Sequence, residues 1–326
     1  MSKHIGVIGA GAWGTALAQV AAQQGPVRLW ARESDVALEI NRVHRNNLFL
    51  RDVDLSRAIQ ATDTLADLRD AEMLLAVCPA QHLRATLAQL PATRAPLILC
   101  AKGIEAGSGK LMSEVAADIY QGPIAVLSGP TFAREVALGL PTAITLACAD
   151  DAVRAQIIAR LGQSTFRPYG SRDVIGAEVG GAVKNVLAIA CGVVVGRKLG
   201  ENARAALIAR GFAEMQRFGR AKGAQAETLA GLSGLGDLVL TCSSTQSRNM
   251  SLGIGLGEGQ KAHDLMANRH TVAEGAFTAP VLLAAAEALG VDMPITRAVV
   301  ALLDGQADVD ATIAALLARP IRDEGL

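Results

Sequence analysis

A glycine-rich turn between a short apolar run and a helical segment limits the fold of this 326-residue chain more than any other feature. Residues 4–8 (HIGVI) read as a strand, GAGAWG follows, and TALAQVAAQQG has the character of a helix. In such a unit, Gly9 allows the tight turn, Gly11 admits a pyrophosphate close to the backbone, and Gly14 lets the helix pack on its strand. The helix N-terminus directs N–H groups and a partial positive charge at phosphates. The position of this GxGxxG motif predicts a dinucleotide-binding turn.

The next predicted strand, residues 26–33 (PVRLWARE), ends near an arginine. Sites for NAD usually have an Asp or Glu here, which holds the ribose 2′-hydroxyl. The guanidinium of Arg32 instead suits a 2′-phosphate, which a carboxylate would repel. Glu33 is adjacent and within reach of a ribose, and Arg32 has the alternative interpretation of a solvated surface residue. We predict NADPH/NADP as the preferred cofactor, with NADH/NAD as the alternative.

The first half of the chain alternates short Leu-rich or β-branched runs with helical stretches, and the second half is almost entirely helical. The predicted strands are residues 4–8, 27–30, 73–77, 97–100, 124–127 and 142–147. The alternation predicts βαβ units and a parallel sheet with helices on both faces. The predicted later helices are residues 174–196, 203–222, 226–240, 248–256, 272–289, 295–304 and 309–318. We expect an α/β N-terminal domain with a Rossmann-like doubly wound sheet (residues 1–172), followed by an all-α C-terminal domain (residues 173–326).

Composition argues against several classes of function. Lys plus Arg and Asp plus Glu each number 31 and aromatic residues are 3%, so nothing favours nucleic acid or an anionic membrane surface. No apolar run reads as long enough to span a bilayer, and the N-terminus lacks the pattern of a signal peptide. The five cysteines are widely spaced, which predicts reduced core thiols in a cytoplasmic protein. Neither cysteines nor histidines have metal-ligand spacing, so no metal is expected.

Two polar segments follow predicted strands, where open α/β sheets bind their ligands. Lys102 lies in LCAKGIE and offers a cation to a phosphate or carbonyl; the alternative is a solvated turn lysine. Gly129 and Thr131 lie in VLSGPTFARE and offer a backbone N–H and a hydroxyl to a substrate. The same segment also has the form of an ordinary helix start, with Pro near the first turn.

Lys184 and Asn185 interrupt an apolar predicted helix, GAEVGGAVKNVLAIACGVVVG. Burying the charge of a lysine in an apolar helix costs free energy of folding, unless the charge is paired or the lysine has a function. Partial desolvation favours the neutral amine that a general base needs, and Asn185 can hydrogen-bond an oxygen or a carboxamide. Gly180 lies one helical turn earlier on the same face, where it leaves room for a ligand. The alternative is a lysine that extends to solvent from the helix edge.

A third cluster spans residues 229–253, where a glycine-rich stretch leads to Asp237 and Ser-Arg-Asn opens another helix. Asp237 can orient Lys184 or accept from a substrate hydroxyl. Arg248 offers a bidentate fork for phosphate near a helix N-terminus that also favours anions. The alternatives are structural: Asp237 can satisfy loop amides, and Ser247 can be an N-cap.

Together these clusters resemble the bacterial type of NAD(P)-dependent glycerol-3-phosphate dehydrogenase family. The segments GAGAWGTALA, AKGIE, SGPTFARE, GGAVKNVLAIACG, GLSGLGDLVLTCSSTQSRN and VAEG occur in the family's order. The resemblance runs from about residue 4 to about residue 305. The combination of these motifs is specific to the family, although no single motif is specific by itself.

The resemblance implies reversible NAD(P)H-dependent reduction of dihydroxyacetone phosphate to sn-glycerol 3-phosphate, the phospholipid backbone. It implies that Lys184 is the general acid/base at the C2 oxygen, in a catalytic network with Asp237 and Thr241. The implied substrate-binding residues are Lys102, Gly129, Thr131, Lys184, Asn185, Asp237, Ser247, Arg248 and Asn249. The expected cofactor-binding residues are Gly9, Gly11, Ala12, Trp13, Gly14, Arg32, Lys102, Ala133, Arg248, Val272 and Glu274. A homodimer is an expectation at the level of the family.

Two alternatives stay open at this point. One is another two-domain reductase that acts on a small hydroxy acid. Such an enzyme would need a site for the carboxylate of its substrate. It would not explain why the segments SGPTFARE and Ser-Arg-Asn occur together. The other is a non-catalytic module that senses NAD(P), which would need no lysine in an apolar helix.

Overall fold

The computed structural model describes residues 4–267, 273–305 and 307–320. The chain divides into two compact units: unit 1 is Met1–Lys102 with Lys110–Ala177, and unit 2 is Gly103–Gly109 with Glu178–Leu326. The main division, between Ala177 and Glu178, lies a few residues beyond the boundary at residues 172/173 that the sequence predicts. Unit 2 also takes in one short segment from the first half of the chain.

Unit 1 is built on one sheet of eight strands. The strands are β1 (Ile5–Ile8), β2 (Val27–Trp30), β3 (Ile59–Thr62), β4 (Met73–Ala76), β5 (Leu97–Leu99), β6 (Ile124–Ser128), β7 (Thr142–Ala147) and β8 (Phe166–Ser171). Their order across the sheet is β3-β2-β1-β4-β5-β6-β7-β8. The order reverses between β1 and β4, the point where such sheets bind nucleotides.

The expected fold class is confirmed, with two corrections to the sheet. The edge strands β3 and β8 were not predicted, because they alternate or expose their side chains (IQAT and FRPYGS) and lack a continuous apolar run. Strand β7 departs from the predicted parallel sheet, because it runs antiparallel to β6. An apolar strand reads the same in either direction, so its sequence does not encode its orientation.

Helices flank the strands of unit 1 and make up most of unit 2. They are α1 (Ala12–Ala21), α2 (Ser34–Val43), α3 (Leu83–Leu87), α4 (Met112–Ala117), α5 (Ala133–Ala137), α6 (Asp151–Leu161), α7 (Val174–Gly196), α8 (Glu201–Lys222), α9 (Ala226–Ala230), α10 (Asp237–Cys242), α11 (Arg248–Gly257), α12 (Ala262–Ala267), α13 (Glu274–Ala288), α14 (Pro294–Leu303) and α15 (Val309–Leu317). The predicted helix 226–240 is wrong as one element. It consists of α9, a π-helical turn at Leu232–Gly236 and the first part of α10.

Helix α7 corrects the prediction that no apolar run is long enough to span a bilayer. It has 23 residues, and its most apolar window has a mean hydropathy of 1.8. By length and composition alone, it could cross a membrane. However, 89% of that window is buried inside the protein, so α7 reads as a core helix.

A buried carboxylate supports the start of α14. The helix has Met293 as its N-cap, which makes no side-chain cap hydrogen bond. Instead, Glu214 on α8 accepts from the backbone N–H of Ile295 at 2.6 Å, and from both the N–H and the hydroxyl of Thr296. Burial raises the pKa of Glu214 to about 7, although these donors and Arg217 oppose the shift. Glu214 therefore caps α14 from another helix at a cost in desolvation.

We expect Glu214→Gln to change how the stability depends on pH. Because the pKa of Glu214 is higher in the folded chain than in the unfolded one, its contribution is complete below about pH 4.5 and is lost as pH rises to about 7. Relative to the variant, the wild type should lose on the order of 3 kcal/mol of unfolding free energy between pH 5 and pH 8. Urea unfolding of both proteins at these pH values measures this difference. A difference between them that does not vary with pH would contradict it.

Candidate active site

The glycine turn of unit 1 has the geometry that its sequence predicts. Gly9 has φ of +112°, in the region that favours glycine. A side chain on Gly14 would meet the carbonyl oxygen of Gly9 at 1.8 Å, so only glycine lets α1 lie so close to the turn that follows β1. A side chain on Gly11 would meet nothing within 4 Å. The turn is therefore closed on its inner side and open at Gly11, where a phosphate group needs room.

The N-terminus of α1 suits the same ligand. Its first turn contains no acidic residue, and the N-cap Gly11 brings no side chain to the N–H groups. Those groups have no acceptor within the helix, and the helix dipole favours an anion there. Ala12 and Trp13 are half-buried at this end. These features fit a dinucleotide pyrophosphate.

Arg32 lies just beyond the carboxyl end of β2, and 76% of its side chain is exposed. Its guanidinium donates to the carboxylate of Glu33 at 2.7 and 3.1 Å. The two residues that favour NADP and NAD, respectively, are therefore paired with each other. The geometry agrees with a cation available at the strand end and also with a solvated surface arginine.

Lys102, Gly129 and Thr131 lie together in unit 1. They follow β5 and β6, two parallel neighbours whose carboxyl ends lie at one edge. The Nζ of Lys102 and the hydroxyl of Thr131 each donate to the carbonyl of Gly129 at 3.3 Å. Lys102 is half-buried and makes this hydrogen bond, which favours a binding role over that of a solvated turn lysine. Ala133 begins α5 nearby in the sequence.

In unit 2, Lys184 is held by a carboxylate and a hydroxyl. Its Nζ donates to Oδ1 of Asp237 at 2.5 Å and to Oγ1 of Thr241 at 3.0 Å. The Thr241 hydroxyl in turn donates to the same Asp237 oxygen at 3.3 Å. Lys184 is 6% exposed and Asp237 is fully buried, so the lysine does not extend to solvent. The carboxylate compensates the desolvated ammonium charge.

Gly180 does not leave room for a ligand, and that expectation is wrong. A side chain there would meet the carbonyl oxygen of Ser233 at 2.2 Å and the Cα of Gly234 at 2.9 Å. Both belong to the π-helical turn that directly precedes Asp237. Such turns recur at functional sites. The missing side chain lets α7 contact the backbone that positions Asp237, one helical turn from Lys184.

Asn185 and Asn249 are joined through their side chains. The amide of Asn249 donates to Oδ1 of Asn185 at 3.0 Å, and its own oxygen accepts from the N–H of Gly275 at 2.9 Å. Their helices, α7 and α11, touch through glycines: a side chain on Gly192 or Gly253 would meet the other helix's backbone within 2.2 Å. This close packing sets the distance between the two amides.

The remaining predicted residues of unit 2 lie at helix starts. Ser247 is the N-cap of α11, because its hydroxyl accepts from the N–H of Met250 at 3.2 Å, so its structural interpretation is confirmed. Arg248 is the first residue of α11 and is exposed. Glu274 begins α13 and is half-buried. Val272 lies outside the described residues.

The cysteines behave as core thiols. All five are buried and free, as predicted. Cys242 follows Thr241, and its contact with the Cys191 thiol, together with burial, raises its pKa well above the usual value. A neutral thiol therefore adds no second negative charge beside Lys184 and Asp237. Among the residues that the structure describes, no group of three or more His, Cys, Asp or Glu is placed to hold a metal.

Each unit thus brings together residues that are distant in the sequence. Unit 1 combines the glycine turn with Lys102, Gly129 and Thr131 at the carboxyl edge of parallel strands. Unit 2 combines Lys184 with Asp237 and Thr241, and Asn185 with Asn249. Sequence reasoning missed Asn46, a buried amide that bonds to the glycine turn, because no local motif marks it.

Comparison with known proteins assigns both halves of the chain to one family. The NAD-dependent glycerol-3-phosphate dehydrogenase N-terminus model matches residues 4–154, and the C-terminus model matches residues 173–314. Glycerol-3-phosphate dehydrogenase [NAD(P)+] 1 of Sphingopyxis alaskensis is 60% identical over 99% of this chain and 98% of its own length. The enzyme of Erythrobacter litoralis is also 60% identical, with the same coverage.

A solved structure agrees with these matches. Glycerol-3-phosphate dehydrogenase from Coxiella burnetii superimposes with a TM-score of 0.92 at 39% sequence identity. The match covers 98% of this chain and 99% of that structure. The chain therefore belongs to the NAD-dependent glycerol-3-phosphate dehydrogenase family.

Proposed function

We propose that this protein is an oxidoreductase that converts dihydroxyacetone phosphate to sn-glycerol 3-phosphate with NAD(P)H, reversibly. The observation that carries the proposal is the buried Lys184, held by Asp237 and Thr241 in a chain that matches the family in both halves. The cofactor, when bound, supplies the hydride for C2 of the ketone. The product is the backbone of glycerophospholipids. The matches favour this reaction over a hydroxy-acid reductase or a non-catalytic sensor.

In this proposal, Lys184 is the general acid/base at the C2 oxygen. In the reduction, its ammonium stabilises the forming alkoxide and then gives it a proton, which completes the alcohol. In the oxidation, the neutral amine accepts that proton. Asp237 and Thr241 fix the position of Nζ through two hydrogen bonds, so that the proton is transferred from a defined point.

The other residues hold the ligands. Substrate contacts are assigned to Lys102, Gly129, Thr131, Asn185, Asp237, Ser247, Arg248 and Asn249. Ser247 can cap its helix and still contribute, because its oxygen accepts from Met250 while its proton remains a donor for phosphate. Cofactor contacts are assigned to Gly9, Gly11, Ala12, Trp13, Gly14, Arg32, Lys102, Ala133, Arg248, Val272 and Glu274.

We infer a preference for NADPH over NADH from the exposed guanidinium of Arg32 at the end of β2. A cytoplasmic location is supported by the five free cysteines, since thiols persist in a reducing compartment. A homodimer stays a prediction at the level of the family.

Initial rates with dihydroxyacetone phosphate, measured in parallel with NADPH and NADH, test the reaction. We expect cofactor oxidation with both, a higher kcat/KM with NADPH, and sn-glycerol 3-phosphate as the product. A protein that oxidises neither cofactor in the presence of this substrate overturns the proposal. Faster reduction of an unphosphorylated hydroxy-acid precursor would favour the other class of reductase.

Arg248→Ala should weaken the binding of the phosphorylated substrate. Loss of a charge-assisted contact to phosphate predicts a KM for dihydroxyacetone phosphate that is about 10- to 100-fold higher. The kcat/KM for unphosphorylated dihydroxyacetone should stay within about twofold, since that ketone makes no such contact. Both are measured at saturating cofactor, with Arg210→Ala as the control, an exposed arginine of the same unit. An equal loss for both ketones would argue against this role.

A further inference from the structure

A fully buried amide, Asn46, bonds to the middle of the glycine turn. It lies between α2 and β3, more than thirty residues from the turn in sequence. Its Nδ2 donates to the carbonyl oxygen of Ala10 at 2.8 Å and to the hydroxyl of Thr15 at 2.8 Å. Thr15, also fully buried, donates its hydroxyl proton to the same Ala10 oxygen at 3.2 Å. The Ala10 carbonyl thus accepts from two buried side chains.

This arrangement determines which way the backbone of the turn faces. The carbonyl of Ala10 and the N–H of Gly11 belong to one planar trans peptide, so they point in opposite directions. Two inner donors hold the Ala10 oxygen inward, and the Gly11 N–H therefore points away from them. Gly11 is the position where a side chain would meet nothing within 4 Å. Rotation of this peptide would break both inner bonds and turn a carbonyl toward the ligand.

Asn46 also makes hydrogen bonds within its own loop, and a substitution can distinguish these from its hydrogen bond to Ala10. Its Oδ1 accepts from the N–H of Phe49 at 3.2 Å, and its backbone carbonyl accepts from Leu50. An aspartate would retain an oxygen for Phe49 but place an acceptor against the Ala10 carbonyl. A leucine of similar size would remove both functions without adding charge.

We propose that Asn46 is a positioning residue for cofactor binding, which fixes the Ala10–Gly11 peptide so that its N–H faces the dinucleotide phosphates. The identity of the ligand rests on the proposed function, but the test measures binding alone. A wild type that binds NADPH and reduces no dihydroxyacetone phosphate would overturn the proposed reaction and leave this inference standing. A wild type that binds no NADPH would overturn the inference.

The experiment compares the Kd of NADPH, from the fluorescence of the bound nicotinamide, for wild type, Asn46→Asp, Asn46→Leu and Gln163→Glu. Gln163 is the matched control, because its Nε2 donates at 2.7 Å to the Val20 carbonyl at the opposite end of the same helix α1. We expect both Asn46 variants to raise Kd about tenfold or more. For the control Gln163→Glu, the Kd of NADPH, the kcat and the KM of the ketone should each stay within about twofold of wild type.

The measured Kd values distinguish a positioning role of Asn46 from a purely structural one. A Kd for Asn46→Leu within twofold of wild type overturns the proposal, even if Asn46→Asp binds weakly, because charge alone would then explain the loss. An equal rise in Gln163→Glu also overturns it. If the Asn46 variants do not fold, Thr15→Val decides. It removes one of the two donors to Ala10 and should raise Kd severalfold, whereas an unchanged Kd contradicts the proposal.

Discussion

Lys184→Met is expected to lower kcat by about 10²- to 10⁴-fold, the usual contribution of a general acid–base group. The methionine has a similar length but can neither stabilise an alkoxide nor transfer a proton. The Kd of NADPH should change little, because Lys184 is not among the residues assigned to the cofactor. Single-turnover kinetics and cofactor fluorescence measure the two effects. A variant with nearly wild-type turnover would remove Lys184 from the mechanism.

The same substitution leaves the carboxylate of Asp237 buried without its cation. Breaking a buried ion pair by removing one partner costs about 3–5 kcal/mol, whereas replacing both partners by apolar residues is often neutral. The double variant Lys184→Met/Asp237→Leu should therefore recover much of the unfolding free energy and none of the turnover. This control separates catalysis from stability. Recovery of turnover together with stability would mean that Lys184 acts only through the fold.

Gly180→Ala is expected to lower kcat by about 10²-fold, although Gly180 has no side chain that could take part in the reaction. The added methyl carbon would lie 2.2 Å from the Ser233 carbonyl oxygen, which is main chain and cannot rotate away. Either α7 or the π-helical turn must move, and Asp237 follows that turn directly. Misplacement of a catalytic group by about 1 Å is enough for such a loss. Because cofactor binding is not involved, the Kd of NADPH should be unchanged.

Gly219→Ala is the matched control on α8. Its added carbon would meet Leu229 at 2.6 Å, but the contact is with the end of a side chain that can adopt another rotamer. We expect a loss of about 1–3 kcal/mol in stability and a kcat within about threefold of wild type. Comparable losses of kcat in the two variants would show that the effect is general overpacking of unit 2.

Features encoded within one element could be predicted from the sequence. The glycine turn is an example. Each of its three glycines is required by a local backbone angle or by a close approach to a neighbouring group. The bounds of α7 were predicted at both ends, because the change from strand-rich to helical pattern and the glycine at its end are local signals. The segment at 226–240 was helical in pattern, but its π-helical turn packs against Gly180 of α7, and this contact between distant segments is not encoded locally.

Features that depend on an element's neighbours were missed or misjudged. Strands β3 and β8 are at the edges of the sheet and carry polar residues, so their sequences lack the signal of the central strands. Gly180 was interpreted as space for a ligand, whereas the backbone of a segment about fifty residues later occupies that space. A missing side chain is visible in the sequence, but what fills its place is not.

The amino-acid order alone identified the candidate groups: a glycine turn suited to phosphate, an amine in an apolar helix, and a carboxylate after a glycine-rich stretch. It raised the pairing of Lys184 with Asp237 as a hypothesis, but the 2.5 Å contact across 53 positions became evident only in the folded chain. The buried hydrogen bond from Asn46 to Ala10 is not marked by any local motif in the sequence. Backbone angles and periodicity are set by adjacent residues, whereas contacts between distant segments follow from the packing of whole helices and strands against one another.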